Sequence, residues 1–318
     1  MKQLLQFSFI LCASLIIQSC KGHQPESQTA TSEDTAVVET IYDFDDSELI
    51  KNIKTLSEDR FEGRRTDTEG GKMARAYVIE AFKSRDVNPL DESFEQAFSF
   101  TRREKDYNGT NVLGLIEGSV HKDKYIVISA HYDHVGINDG KIFNGADDDA
   151  SGTSALFAFA EYFKANPPKH NVILAAFDAE ELGLKGAYHF VDNSIVPKDQ
   201  LVLNLNMDMV SRSEKNELFA VGTRYYPQLK PVIENYKRSG DVKVLIGHEG
   251  LDKAQDWTNS SDHAAFHKAE IPFVYFGVPD HEDYHKPTDD FENIDQTFYK
   301  NAVQTIINTF KAFDNLEL

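Results

Sequence analysis

The apolar positions of the chain form two kinds of pattern. Stripes with apolar residues three and four apart, which predict helices, occur at 49–56, 73–82, 150–163, 181–190 and 298–310. Apolar runs of strand length occur at 111–116, 125–130, 172–177, 201–206 and 272–276. Several runs are almost continuously apolar, which is typical of strands covered on both faces. Strands that alternate with helices predict an α/β fold: a three-layer α/β/α sandwich around a mostly parallel mixed sheet.

Two local signals refine this pattern. Asp295 precedes the last helical stripe and is expected to cap it. Between the first two stripes, Arg60 to Arg65 contains both charge signs and a glycine. We therefore expect a surface loop there.

The beginning of the chain has the layout of a secretory signal. Its apolar stretch, Phe7 to Ile17, is short for a membrane span, and it is followed by Ser19 and Cys20. Residues 17–20 resemble a bacterial lipoprotein cleavage site, so we expect a signal peptide at 1–20 and a lipid anchor at Cys20. This predicts an exported bacterial lipoprotein of the periplasm or outer membrane. An ordinary signal cleaved nearby, or an uncleaved anchor, is the alternative.

The segment after the signal is polar, whereas the rest of the chain contains the apolar patterns of a folded domain. Residues 21–46 are rich in Gln, Thr, Ser and Glu, which predicts a flexible tether. Residues 47–318 are expected to form a single catalytic domain. With 41% hydrophobic residues, 22 Phe and 13 Tyr, the chain can bury an extended core.

Charge and cysteine content restrict the chemistry. The chain has 52 acidic and 33 basic residues and a formal charge of −19, which argues against binding to nucleic acid or to anionic lipid surfaces. Its two cysteines, Cys12 and Cys20, both lie in the signal segment. A metal site in the body of the protein must therefore use nitrogen and oxygen ligands.

Residues able to bind metals follow four of the five predicted strands. These positions are important because ligands of open α/β sheets bind beyond the carboxyl ends of the strands. They are His131-Tyr132-Asp133-His134, Glu180-Glu181, Asp208 and Asp283-Tyr284-His285. Each has an ordinary structural explanation when taken alone. Their joint occurrence at successive strand ends predicts one site.

Together these motifs resemble the bacterial and vacuolar di-zinc aminopeptidases, which are related to glutamate carboxypeptidases and glutaminyl cyclases. The resemblance extends from Leu49 to the C-terminus, with five motifs in the family's order. The motifs are His131-x-Asp133, Gly145-Ala146-Asp147-Asp148-Asp149-Ala150-Ser151-Gly152, Glu180-Glu181-Leu182-Gly183-Leu184, Met207-Asp208-Met209 and Tyr284-His285-x-Pro287-x-Asp289.

The resemblance implies two Zn²⁺ ions per chain. His131 and Asp208 would bind one ion, Glu181 and His285 the other, and Asp148 would bridge both. The choice of Asp148 over its acidic neighbours follows from the register of the motif. We assign neither His134 nor His281 to the metals because five ligands complete this set.

The resemblance also implies roles around the metals. Glu180 would be the general base and Asp133 would support His131 by accepting a hydrogen bond from its second ring nitrogen. Tyr284 is either a donor to the developing oxyanion or a packing aromatic. Asp262 is expected to cap a helix.

These roles predict an aminopeptidase that acts on peptides with a free N-terminus. Two alternatives are a carboxypeptidase and a glutaminyl cyclase of the same superfamily. A carboxypeptidase needs a cation for the substrate's terminal carboxylate, and no arginine stands beside the motifs, although Arg212 and Arg224 are not far along the chain. A third alternative is a binding lipoprotein that has lost catalysis.

Overall fold

The computed structural model describes residues 41–251, 253 and 255–318. Within them, the helices are α1 Asp46–Leu56, α2 Glu69–Ser84, α3 Gly152–Ala165, α4 Lys185–Asp192, α5 Lys230–Glu234, α6 His263–Lys268 and α7 Gln296–Asp314. The strands are β1 Asn88–Pro89, β2 Glu95–Arg102, β3 Lys105–Ile116, β4 His121–His131, β5 Gly136–Asn138, β6 Lys141–Phe143, β7 His170–Phe177, β8 Leu201–Met207, β9 Glu217–Val221, β10 Lys243–Ile246 and β11 Phe273–Gly277.

All strands except the small β5–β6 hairpin belong to one mixed sheet, in the order β1-β3-β7-β4-β8-β11-β9-β10, with β2 paired to β3. The four central strands, β7, β4, β8 and β11, are mutually parallel. β3 and β9 join this group in antiparallel orientation from either side. The parallel centre brings four carboxyl ends to the same edge of the sheet.

Helices cover both faces of the sheet. Alternate side chains of a strand point to opposite faces, and in β7 Leu174 packs in a core cluster with Phe157 of α3. Its neighbour Ile173 packs in a second cluster with Phe190 of α4. Helices α1, α2, α3 and α7 contribute to the first cluster, and α4 and α6 to the second. The predicted three-layer α/β/α sandwich is confirmed.

The element predictions succeed where burial is strongest. All five predicted strands are present as β3, β4, β7, β8 and β11. Asp295 caps α7 as expected, because its side chain accepts hydrogen bonds from the backbone N–H groups of Thr297 and Phe298. The helix predicted from 181 begins only at Lys185, because the backbone N–H groups of Gly183 and Leu184 both bond to the carbonyl of Glu180 in a tight turn.

Two boundary predictions are wrong. The expected surface loop at Arg60 to Arg65 contains a short 3₁₀ segment, Asp59–Arg64, in which Arg64 is completely buried. The tether was expected to reach residue 46, yet Phe44 is buried in the main core and the Tyr42 hydroxyl donates to Asn301 of α7 at 3.2 Å. Residues 41–46 therefore belong to the folded body.

The signal peptide, the Cys20 anchor and tether residues 21–40 lie outside the described residues. Among the residues that are described, no helix is both long and apolar enough to cross a membrane.

Candidate metal centre

Side chains from the ends of the four parallel strands meet at the carboxyl edge of the sheet. β4 ends at His131 and β8 at Met207, directly before Asp208. Glu181 lies in the turn after β7, and His285 in the loop after β11. Asp148 lies in an irregular acidic turn, Ala146–Ser151, that leads into α3. The chain thus brings all five predicted metal ligands together.

The first metal position is formed by His131, Asp148 and Asp208. The His131 Nε2 atom lies 3.2 Å from Asp148 Oδ1 and 3.6 Å from Asp208 Oδ1. It is buried and has no hydrogen-bond partner. Ligand atoms of these three residues lie within 4.8 Å of one another, an arrangement that could hold a metal ion.

Asp133 orients His131, but through its main chain. His131 Nδ1 is bonded to the carbonyl oxygen of Asp133 at 3.0 Å, whereas the carboxylate oxygen Oδ1 is 3.7 Å away. The carboxylate is engaged elsewhere, because Oδ1 accepts the backbone N–H of Glu180 at 3.0 Å. A carbonyl fixes the ring tautomer as a carboxylate does, so Nε2 faces the metal position.

A candidate second metal position contains Asp148, Glu181, His285 and His134, a histidine that we did not assign to the metals. His285 Nε2 lies 3.1 Å from Asp148 Oδ2 and 3.2 Å from Glu181 Oε2. His134 Nδ1 lies 2.8 Å from Glu181 Oε1. Ligand atoms of His134, Asp148 and Glu181 also lie within 4.8 Å of one another. The sequence signal for His134 was its place three residues after the end of β4.

Of the three consecutive aspartates, only Asp148 faces both positions. Asp147 accepts hydrogen bonds from the backbone N–H and the hydroxyl of Ser211. Asp149 accepts from the backbone N–H groups of His131 and Gly152. The remaining histidine near the site, His281, lies 3.1 Å from Asp147 and not at either metal position.

Asp289 holds the acidic turn in place from the loop that follows His285. Its two carboxylate oxygens accept the backbone N–H groups of Asp147 and Asp148, each at 3.0 Å. Asp148 and His285 are therefore positioned by the same short loop.

The buried side chain of Arg64 links the loops around the metal positions by hydrogen bonds to their carbonyl groups. Its Nε donates to the carbonyl of Tyr132 at 2.9 Å, Nη1 to the carbonyls of Leu56 and Asn144, and Nη2 to the carbonyl of Gly145 at 2.9 Å. Burial lowers the pKa of Arg64 below its ordinary value, although Asp148, Asp289, Asp149 and Asp133 act to raise it. A buried cation thus lies beside the acidic turn.

The imidazoles keep the bridging carboxyl ionised. Burial acts to raise the pKa of Asp148, but His134, His131 and His285 hold that pKa well below its ordinary value. Burial and Asp148 likewise act to raise the pKa of Glu181, while His134 and His285 bring it down to about 2. Imidazole nitrogens and ionised carboxylates are ligands that zinc prefers. The donor set therefore fits zinc.

Glu180 faces a cavity in front of the metal positions. Burial raises the pKa of its carboxyl well above the ordinary value, as do the charges of Asp208, Asp262 and Glu181. The cavity has a volume of about 400 Å³. Its described lining comprises Asp148, Glu180, Asp208, Met209, Gln255, Asp256, Trp257, Ser260, Tyr275, Val278, Asp280, Tyr284 and His285.

The structure places Tyr284 and Asp262 in different settings. Tyr284 stacks on His285, with ring centroids 4.0 Å apart, and also lines the cavity. Asp262 occupies the position before α6, but its side chain makes no capping hydrogen bond. Both its carboxylate oxygens are buried without a partner, and burial raises its pKa to about 8. The capping prediction for Asp262 is wrong because the side chain points into the interior.

Comparison with known proteins identifies similar chains. A model of peptidase family M28 matches residues 111–310. Aminopeptidase YwaD of Bacillus subtilis is 35% identical over 193 residues, which cover 58% of this chain and 40% of YwaD. The chain thus spans less than half the length of this curated relative.

Solved structures share the fold. BSAP, a zinc aminopeptidase from Bacillus subtilis, superposes with a TM-score of 0.65 at 18% identity, covering 85% of this chain and 95% of BSAP. Porphyromonas gingivalis glutaminyl cyclase superposes with a TM-score of 0.69 at 15% identity, covering 86% of this chain and all of that chain (100%). At these identities the likeness is one of fold.

Proposed function

Since this chain belongs to peptidase family M28, we propose that it is a zinc-dependent aminopeptidase that hydrolyses N-terminal peptide bonds with two Zn²⁺ ions. One observation supports this most directly: Asp148 presents one oxygen to each of two clusters of metal-binding side chains. Two metals that share a carboxylate lie close enough to act on one water molecule.

His131, Asp148 and Asp208 would hold one ion, and Asp148, Glu181 and His285 the other. When bound, the ions supply a polarised substrate carbonyl and an acidified water molecule. The buried, unpartnered nitrogen of His131 and the unpartnered Glu181 Oε1 are consistent with cation binding, because buried polar atoms otherwise have hydrogen-bond partners.

Glu180 is the proposed general base. Its backbone is fixed to the Asp133 carboxylate by a 3.0 Å hydrogen bond, while its side chain lines the cavity beside Asp148 and Asp208. A carboxyl in this cavity is within reach of a water molecule held at the metal positions, which is where a general base must lie. Glu180 would take the proton of the attacking water and transfer it to the leaving amine.

The cavity favours an amine over a carboxylate as the end of the substrate. Its described lining contains the carboxylates of Asp256 and Asp280 and no lysine or arginine. A carboxypeptidase would need a cation for the substrate's terminal carboxylate. Arg212 is paired with Asp283, and Arg224 donates to the Glu249 carbonyl. Tyr284 lies in the lining, where it could donate to the oxyanion.

The two remaining alternatives differ in metal use and reaction. A single-zinc glutaminyl cyclase would not need the bridging arrangement of Asp148. A binding lipoprotein without catalysis would tolerate substitution of the ligands or of Glu180, and all of these residues are present.

The test compares wild type with Glu180→Gln, which keeps the side-chain size and removes the base. With zinc loaded, we expect hydrolysis of free-amine peptides to fall by about 10² to 10⁴-fold, with zinc content unchanged by elemental analysis. N-acetylated peptides should not react with either protein. Wild-type activity in the variant would overturn the mechanism, and ammonia release without hydrolysis from an N-terminal glutamine peptide would identify a cyclase.

A further inference from the structure

The ring of His134 is buried beside the second metal position, between two of its carboxylates. Its side chain is fully buried, and neither ring nitrogen has a hydrogen-bond partner. The Nδ1 atom lies 2.8 Å from Glu181 Oε1 and 3.8 Å from Asp148 Oδ2. Glu181 Oε1 also lacks a hydrogen-bond partner. The two atoms lie 2.8 Å apart without an aligned hydrogen bond between them, and one cation could bind both.

The backbone around His134 fixes the ring in this place. Its backbone N–H bonds to the carbonyl of Arg64 at 3.4 Å. Across the ring lies Gly145, in a left-handed conformation with φ of +55°, where an added Cβ would lie 2.5 Å from His134 Cδ2 and would also clash with the Asp148 carbonyl. Only glycine leaves room for the imidazole between the acidic turn and the end of β4.

We propose that His134 binds the second metal through Nδ1, together with Asp148, Glu181 and His285. The inference rests on the metal centre of the proposed function and adds a sixth ligand to it. The second position would then have four protein ligands, two imidazoles and two carboxylates, whereas the first has three. A site with four protein ligands is more closed than a site with three. The second position should therefore bind its metal more tightly and fill first.

The atom used by His134 provides a direct test on the wild-type chain. At the first position and at His285 the nitrogen that faces the metal is Nε2, whereas His134 presents Nδ1. The full chain, labelled with ¹⁵N-histidine and loaded with ¹¹³Cd²⁺, should therefore show cadmium coupling to one Nδ1 and to two Nε2 atoms. Coupling to Nε2 atoms alone would overturn the inference and leave the metal centre standing. Absence of cadmium uptake would overturn the proposed function as well.

A variant pair gives an independent measurement. Calorimetric titration of the chelator-treated chain with Zn²⁺ should show the tighter of two binding events weakened by at least about 100-fold in His134→Gln, since loss of a ligand should exceed the 10 to 100-fold effect of losing an outer partner. The matched control is His281→Gln, because His281 contacts Asp147 and neither metal position. Equal affinities in wild type and His134→Gln would contradict the proposal. If His134→Gln does not fold, the coupling pattern of the wild type decides.

Discussion

The two ends of the central sheet use the same residue types for opposite purposes. At the amino end, His170 at the start of β7 is bonded through Nδ1 to Asp314 at 3.0 Å. The Asp314 carboxylate also accepts the backbone N–H groups of Lys169 and His170. At the carboxyl end, His131 lies 3.2 Å from Asp148, and its Nε2 atom has no hydrogen-bond partner.

The difference lies in what surrounds the carboxylate. Around Asp314 the main chain supplies donors, so the carboxylate is satisfied within the protein and stabilises the fold. Around Asp148 the neighbours of the carboxylate are imidazoles and further carboxylates, the side-chain types that bind zinc. The pairs His170–Asp314 and His131–Asp148 thus differ in whether backbone donors surround the carboxylate.

The largest expected effect follows from removing the Asp148 carboxylate, the proposed bridge between the metal positions at the carboxyl end of the sheet. Asp148→Ala should lower peptide hydrolysis by at least about 10³-fold, because it takes one ligand from each metal position and several kcal/mol of metal catalysis is lost. Bound zinc should fall below two equivalents by elemental analysis. Thermal unfolding in chelator should be unchanged or improved, since functional sites often cost stability. If Asp148→Ala still bound two equivalents of zinc and kept full activity, the contrast between the two ends of the sheet would be wrong.

The next effect tests whether the loops of the metal end depend on one buried cation. Arg64→Met should lower the free energy of unfolding by about 3–5 kcal/mol, as expected when one member of a buried charge cluster is removed. Urea unfolding measures this loss. The control is Arg60→Met, an exposed arginine paired with Glu58, which should change stability by no more than about 0.5 kcal/mol. Equal losses in both variants would show that burial of Arg64 is not what fixes these loops.

The smallest expected effect is a loss of stability at the amino end of the sheet, without a change in peptide hydrolysis. Asp314→Asn should lower the free energy of unfolding at pH 7 by about 1–3 kcal/mol. Burial acts to raise the pKa of Asp314, but its hydrogen bonds to His170 and Lys169 lower that pKa below its ordinary value. The stabilisation is thus present above an ordinary pKa of about 4 and is lost as the pH falls through the lowered pKa.

Urea unfolding of wild type and Asp314→Asn at a series of pH values checks this sign. The difference between the two proteins should be largest at neutral pH and should shrink in acid. Peptide hydrolysis at pH 7 should be equal. A loss of activity in this variant would mean that the two ends of the sheet are not independent.

Sequence patterns predicted the centre of the sheet better than its margins. Continuous apolar runs identified β4, β7 and β8 because both faces of these strands are covered. The strand β2, with its mixture of polar and apolar residues and its place outside the main strand order, lacks that signal. Tether residues up to 46 look polar, yet burial of Phe44 and the hydrogen bond of Tyr42 to Asn301 join this end to the core.

The metal centre was predictable to the extent that its residues stand at strand ends. His131 and Asp208 come directly at or after the ends of β4 and β8, so parallel strands alone bring them together. His134 also follows β4, but its place in the sequence does not show where its ring points, because ring direction in a loop depends on contacts such as that with Gly145. Arg64 looked like a surface charge, and only the carbonyls of three separate segments explain its burial.

The cavity wall has a consequence for how specificity can change over evolution or by engineering. Gln255, Asp256, Trp257 and Ser260 come from one stretch between β10 and α6 and line the cavity, but none belongs to either metal position. Substitutions there can alter which side chains enter while the loops that hold the ligands keep their sequence. Changing this stretch is therefore a way to alter the shape of the cavity without replacing a residue of either metal position.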